Sequence, residues 1–255
     1  MKKLKSIITL VLVVILSSSC LVSCSKKSKS ETNRAKDAFD KAYEVLLESK
    51  NYVQEIEGVS FDGNNVTEET SWKIVTNRVG ETIKRHGEEL SGAEKFYNVI
   101  TRTSTNLSFL HYDLNERTYS EDKNAIDQII LTEGSGAVDK KILLIESSLG
   151  TLDFDYNKYF QIVYEETKTG YSDTKVEYTY FVENGYTFAS CSINANDVKV
   201  TYTISIDSND KLSAVKMLRE NVSDDGYLQI ISTFRYTGED LTINVNTEGF
   251  TKEEA

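Results

Sequence analysis

The sequence predicts an α+β fold that is mostly β: a large, curved antiparallel sheet, a half-barrel or open barrel, with an N-terminal helix and a mid-chain helix packed on it. Three observations carry this. Val198, Val200, Tyr202, Ile204 and Ile206 alternate with Lys199, Thr201, Thr203 and Ser205, so one face of that segment is buried and the other wet. Leu228, Ile230, Phe234 and Tyr236 repeat the alternation, with Ser232 as the exception, and Leu241, Ile243 and Val245 repeat it again. Short turn signals separate the runs at Glu183-Asn184-Gly185, Ser208-Asn209-Asp210, Asp224-Asp225-Gly226 and Gly238-Glu239-Asp240, which makes consecutive hairpins and hence a meander. Two helical patterns, at 32–49 and 137–148, supply the cover that a sheet with one apolar face requires.

At the N-terminus, Lys2, Lys3 and Lys5 precede an apolar run from Ile7 to Leu16, interrupted by Thr9 and followed by Ser17–Ser19. This is the order of a secretory signal. The run is about half of the roughly 20 residues needed to span hydrocarbon, which disfavours a transmembrane anchor. Two cysteines follow, Cys20 and Cys24. A Cys-x3-Cys metal site would need further ligands nearby, and no histidine precedes His86.

Leu21-Val22-Ser23-Cys24 resembles the lipobox of bacterial lipoproteins, whereas Cys20 has Ser17 where the aliphatic residue should stand. The resemblance implies a diacylglyceryl group on the Cys24 sulfur, cleavage between Ser23 and Cys24, and acylation of the freed amine by a fatty chain such as palmitate. Two or more acyl chains make a stable anchor where one is marginal. The expected location is therefore the extracytoplasmic face of the cell membrane. Residues 1–23 are read as the signal peptide, 24–31 as a polar lipidated tether, 32–250 as one β-rich domain and 251–255 as a charged tail.

Removing residues 1–23 takes away three lysines and no acids, leaving 26 basic against 40 acidic side chains, net −14. Nucleic-acid binding rewards clustered Lys and Arg, so nucleic acid is excluded as a partner. Cys191 is then the one thiol besides Cys24, and no internal disulfide framework exists. Cys191 alternates with Ala189 and Ile193 and reads as a small buried residue. The chain has no proline, and its Lys, Asn, Ile and Glu content suits an AT-rich bacterial genome. In that setting the three Asn-x-Ser/Thr sequons are chance matches.

The first helix, 32–49, sets Ala35, Ala38, Phe39, Ala42, Tyr43 and Leu46 along one stripe, with Lys36, Asp37, Asp40, Lys41 and Glu44 on the wet side. Residues 51–61 and 66–76 flank Asp62-Gly63-Asn64-Asn65 and read as a hairpin. Further strands are expected near 79–87, 95–103 and 107–119, with loops at Gly87 and Ser91-Gly92. A short helix is expected at 122–131, before the helix at 137–148. The count is three to five strands in the first half and about seven from residue 152 onward. No internal repeat or linker divides the chain.

The order of lipobox, tether, amphipathic helix, meander, mid-chain helix and second meander resembles the LolA/LolB and LppX/LprG type of lipoprotein fold over residues 32–247. The stretch Ser232–Gly238 followed by Leu241–Val245 is similar to the closing hairpin of that group, although Asn246-Thr247-Glu248 stands where a proline is common. The resemblance implies an acyl chain or lipoprotein held between sheet and helices.

Chemistry-bearing patterns are sparse. His86 and His111 have charged neighbours and read as surface or rim groups. No nucleophile elbow or EF-hand spacing occurs, and Asp153-Asp155, Glu165-Glu166 and Asp224-Asp225 read as solvated acids. The sequence therefore predicts no catalytic residue, metal or cofactor. Strand aromatics are more suggestive, because they can line an apolar cavity. Phe39, Tyr43, Tyr180, Tyr202 and Phe234 are the candidate ligand-binding residues. The preferred function is a membrane-anchored binding module for a lipid or other apolar ligand. The alternative is an envelope lipoprotein with a solid core and a protein partner; a hydrolase is the least supported. Replacing Cys24 with Ala should abolish metabolic labelling by radioactive palmitate and leave unprocessed precursor or soluble secreted protein, whereas Cys20→Ala should change neither; loss of label on the Cys20 change alone would move the cleavage site.

Overall fold

The computed structural model describes residues 29–62, 65–134, 136–147, 175–195, 198–221, 226–237 and 241–253. Helix α1 (Lys29–Glu48) comes first. Strands β1 (Asn51–Asp62), β2 (Asn65–Val79), β3 (Thr82–Glu89), β4 (Lys95–Arg102), β5 (Asn106–Asp113) and β6 (Thr118–Ala125) form a first meander. Helices α2 (Ile126–Glu133) and α3 (Ala137–Ser147) follow. A second meander holds β7 (Lys175–Glu183), β8 (Tyr186–Ala195), β9 (Val198–Ile206), β10 (Leu212–Asn221) and β11 (Tyr227–Tyr236), and β12 (Thr251–Lys252) closes the chain. All the strands lie in one sheet, in the order β12-β6-β5-β4-β3-β2-β1-β11-β10-β9-β8-β7. The fold is α+β and mostly β, with one large, open, curved antiparallel sheet and helices at the N-terminus and mid-chain.

The two meanders join where β1 pairs antiparallel with β11, from Tyr52↔Tyr236 to Phe61↔Tyr227. This pairing brings the start of the domain against its late strands. The register gives the two faces. Tyr52, Gln54 and Ile56 of β1 lie on the same face as Ile74 and Trp72 of β2 and as Phe234 and Ile230 of β11. That face carries most of the core and receives α1, whose Ala35, Phe39, Ala42, Tyr43 and Leu46 are buried against it. A second apolar cluster sits toward the β3–β5 side, where Ile83, Ile100 and Leu107 meet Ile126 and Ile129 of α2 and Val138 and Ile142 of α3.

Turn chemistry sets the local registers. Between β7 and β8, Asn184 and Gly185 both have positive φ (51° and 82°), the backbone of a type I′ hairpin turn. Between β9 and β10, Asp207 Oδ1 accepts from the backbone N–H groups of Asn209 and Lys211 (2.8 and 2.9 Å). Asp210 takes φ 62° there.

Several elements differ from the sequence-based expectation. The first half has six strands rather than three to five. Residues 107–119 are not one strand but the hairpin β5–β6, turned by Asp113, whose Oδ1 accepts from the N–H groups of Asn115 and Glu116 (2.8 and 2.9 Å). The helix expected from 122 starts at Ile126, because 122–125 complete β6. Gly87 is not in a loop but inside β3, directly opposite Phe96 of β4. A Cβ at Gly87 would lie 2.2 Å from Cε1 of that ring, so the glycine is the space the ring occupies. Asp40 does not simply face water: one carboxylate oxygen is buried.

The closing hairpin is absent. Leu241, Ile243 and Val245 form no strand, since β11 already has β1 on one edge and β10 on the other. The chain instead reaches the far edge, where β12 runs parallel to β6. Phe250 meets Tyr112 edge-on (5.7 Å), and Tyr112 stacks on Tyr97, so this end of the chain lies on the face opposite the helices. Arg117 donates from Nη2 to the carbonyl of Glu248 (3.1 Å) and sets its guanidinium over the Phe250 ring. Among the described residues the second half gives five strands and the two-residue β12; residues 152–174, part of the stretch where about seven strands are expected, lie outside them.

Replacing Gly87 with Ala should lower stability by about 1–3 kcal/mol through overpacking, read as a lower midpoint of chemical denaturation. Combining it with Phe96→Leu should restore part of the loss, and strict additivity of the two changes would contradict the contact.

Candidate functional site

The seam between α1 and the sheet is where the structure gathers apolar side chains around a void. A cavity of about 20 Å³ is lined by Phe39, Ala42, Tyr43 and Leu46 from α1, by Tyr202, Ile204, Leu212, Val215 and Phe234 from β9–β11, and by Gln54 from β1. It holds about one water molecule. Sites for drug-sized ligands run to roughly 300–1,000 Å³, so the seam is closed here.

The helix follows from its composition. Its alanines let the backbone approach the sheet, and Phe39 and Tyr43 fill the space between, with ring centroids 6.1 Å apart. On the sheet side, Tyr52 sits between Phe234 and Tyr236, at 5.9 Å from each ring. The C-terminal end of α1 is held by a charged donor. Arg78 of β2 donates from Nε to the carbonyl of Ser49 (3.2 Å) and from Nη2 to that of Leu46 (3.4 Å). A cation there also complements the negative end of the helix dipole.

The helix-facing side of β2–β5 carries a row of polar side chains. Cross-strand register aligns Thr76, Arg85, Asn98 and His111. Thr76 and Arg85 are both 0% exposed. Arg85 donates from Nη2 to Gln54 Oε1 (3.3 Å), and Gln54 donates from Nε2 to Ser232 Oγ (3.3 Å). At the other end, His111 Nδ1 lies 2.7 Å from Asn98 Oδ1. An amide oxygen only accepts, so the proton sits on Nδ1. Thr76 Oγ1 and Trp72 Nε1, buried on the same face of β2, have no hydrogen-bond partner among the described residues.

Burial lowers the His111 pKa, against the opposing pull of Asp113 and Glu253. His86, on the opposite face, is also lowered by burial, with Glu88 opposing and Lys95 reinforcing. Lys216 is nearly buried on that opposite face, and desolvation lowers its pKa against the pull of Glu220. His111, read from the sequence as a surface or rim group, is half-buried at the end of the polar row.

The structure brings Phe39, Tyr43, Tyr202 and Phe234 together around the cavity. Tyr180 stands apart on edge strand β7. The Arg34 guanidinium lies 4.0 Å above its ring, and its N–H donates to Glu31 Oε1 (3.4 Å). Ser23 and Cys24 lie outside the described residues, as do Asp153, Asp155, Glu165, Glu166, Asp224 and Asp225. Among the described residues no group of three His, Cys, Asp or Glu side chains is placed to hold a metal, and no helix is long and apolar enough to cross a membrane. The sequence reading missed Gln54 and Arg85. The readable signal was polarity at an inward position: Gln54 lies between Tyr52 and Ile56 at two-residue steps, and Arg85 between Ile83 and Gly87.

No family model matches the chain, and no curated protein matches it. Solved structures overlap most of it. A DUF1329 family protein from Desulfovibrio piger is 12% identical, with TM-score 0.34, over 82% of this chain and 95% of that one. A putative outer membrane lipoprotein-sorting protein domain from Vibrio parahaemolyticus is 9% identical, with TM-score 0.31, over 84% and 96%. A LolA superfamily protein from Nitrosomonas europaea is 8% identical, with TM-score 0.28, over 86% and 97%. With every TM-score this low, the fold class stands on the sheet order and helix placement.

Phe39→Ala and Leu46→Ala should each cost about 2–5 kcal/mol, because both side chains are packed in the seam. Glu44→Ala, on the exposed side of α1, should stay within about 0.5 kcal/mol. Negligible losses at both apolar positions, read by urea denaturation, would contradict the docking of α1.

Proposed function

We propose that the chain is a membrane-anchored, extracytoplasmic binding module that takes up an apolar ligand, such as a lipid acyl chain, between α1 and the sheet, and that it catalyses no reaction. The observation that supports this most is the apolar seam: aromatic and aliphatic walls meet around a water-sized void, and Gln54 is the one amide among its lining residues. One side of the seam is a single helix. It is joined to β1 through Ser49-Lys50 and held at that end by Arg78. A ligand enters if α1 lifts off the sheet, where it packs on β7–β10. The released apolar surface is then covered by the ligand rather than by water, which offsets the cost of opening.

The anchor fits this reading. Four residues separate Cys24 from the start of α1 at Lys29. Lipidated Cys24 would hold the helix and its seam close to the bilayer surface, the source of acyl chains.

The small size of the cavity favours a second reading. If α1 never lifts, the seam is a solid core and the protein acts through its outer surface on an envelope partner. Native mass spectrometry of protein that begins at Ser25, purified without detergent, separates the two. A binding module should carry added mass of several hundred daltons that organic extraction removes as lipid. Ala42→Leu, which fills the void, should reduce that load. Protein of bare polypeptide mass, before and after incubation with lipid vesicles, would sink the binding reading and leave the solid-core one.

A further inference from the structure

We infer that the tether after Cys24 and the first turns of α1 form a docking surface for anionic phospholipid head groups, and that this surface sets how the module stands on the bilayer. The inference rests on the lipid anchor proposed above and names the lipid chemistry that the anchored end meets.

Charge is segregated along the mature chain. Residues 25–36 hold five basic side chains, Lys26, Lys27, Lys29, Arg34 and Lys36, against one acid, Glu31. The remaining residues hold 21 basic and 39 acidic side chains. The break falls inside α1. Residues 37–48 carry Asp37, Asp40, Glu44 and Glu48 against Lys41 alone, and Lys41 is paired with Asp210 at 2.6 Å. This order runs against the helix dipole, which favours acids near the N-terminus and bases near the C-terminus. Glu31 is the first-turn acid, and the last turn has no base. Helix stability does not account for the arrangement, whereas an anionic surface facing the start of the helix does.

The fold gathers this end of α1 at one edge of the sheet. β7 is the last strand in the sheet order, and Tyr178 and Tyr180 share its helix-facing side. The Arg34 guanidinium lies 4.0 Å from the centre of the Tyr180 ring, and Lys36 Nζ lies 5.2 Å from that of Tyr178. Glu31 is turned to the sheet, where it accepts from the Tyr180 N–H. The acids of β7, Glu177 and Glu183, alternate onto the other face. Arg34 is exposed, as are Val182 on the helix-facing side of β7 and Tyr186 in the β7–β8 hairpin. Basic side chains beside an exposed valine and tyrosine suit the head-group level of a bilayer.

The anchor supplies proximity. Five Cα steps lead from Cys24 to Lys29 and reach at most about 18 Å, so the start of α1 stays near the lipid. The acidic remainder of the chain is repelled by the same head groups and turns away from them. The module then stands on the start of α1 and the β7 edge.

The test uses the mature, lipidated chain, purified from membranes in detergent and reconstituted into phosphatidylcholine vesicles with or without phosphatidylglycerol. A thiol-reactive fluorophore is placed at Asn33→Cys in α1, or at Glu116→Cys in the β5–β6 turn; both positions are exposed, and Cys191 is buried. Lipid spin-labelled on its head group quenches a fluorophore that touches the surface. Phosphatidylglycerol should raise quenching at Asn33→Cys several-fold and leave Glu116→Cys unchanged. About 1 M salt, where the Debye length falls to about 3 Å, should remove the rise. Each basic side chain at an anionic surface is worth about fivefold in partition, so Lys26→Gln, Lys27→Gln and Lys29→Gln together should abolish it. Arg34→Gln with Lys36→Gln should weaken it, and an unchanged rise in that pair would overturn the assignment to α1. Equal quenching with and without phosphatidylglycerol, in protein that floats with the vesicles, would overturn the docking surface alone. Protein that does not float with either vesicle would overturn the anchor, and the docking surface with it.

Discussion

A sheet this broad, apolar along one face, has to be covered, and the placement of α1 follows from that constraint. The face presented by β8–β11 and β1 is continuous from Ala189 and Cys191 through Tyr202 and Met217 to Ile230, Tyr52 and Ile56. No other strand layer lies on it among the described residues. The stripe on α1 supplies a complementary surface, since its alanines permit close approach where Phe39, Tyr43 and Leu46 need depth. Each large apolar side chain buried this way contributes about 1.5–3 kcal/mol, so the interface outweighs the weak intrinsic stability of a lone helix. Arg78 holds the C-terminal end of the helix, and Glu31 and Arg34 tie its first turns to Tyr180 of β7.

The β1–β11 pairing has a similar reach. Each meander is built from local hairpins, but the two become one sheet only through contacts between residues 52–61 and 227–236. Loop closure over such a separation is costly, so this junction belongs to a late and cooperative stage of folding. It also dictates the fate of the C-terminal segment. With both edges of β11 occupied, residues after Tyr236 have no ladder to join. They end at the edge of β6, where Phe250 meets Tyr112, a ring that itself packs against Tyr97 and Tyr119.

Much of this was legible in the sequence. The strict alternation at Val198–Ile206 and the stripe on α1 report burial directly, and both elements formed where the periodicity put them. Hairpins with a strong turn dipeptide, such as Asn184-Gly185, were equally plain. Legibility failed where meaning depends on a distant neighbour. Gly87 reads as a turn residue until Phe96 is seen across the strand. Leu241, Ile243 and Val245 alternate like a strand, but pairing needs a free edge, and edges are a property of the whole sheet. The candidate site divides in the same way. Aromatic residues at inward positions could be picked out one by one, whereas Gln54 and Arg85 are joined by a hydrogen bond that depends on how three strands are registered.

The polar row lies between the two apolar clusters and works against both. Burying a hydroxyl or an indole N–H without a partner commonly costs about 1–3 kcal/mol, and Thr76 and Trp72 each present that cost on a face where valine or phenylalanine would serve packing better. A sheet selected for stability alone would extend the apolar surface of Ile74 and Ile83 across this row. Departures of this type concentrate where a protein uses its interior. The apolar walls keep α1 docked on the sheet, and the polar row interrupts the apolar face between the two clusters.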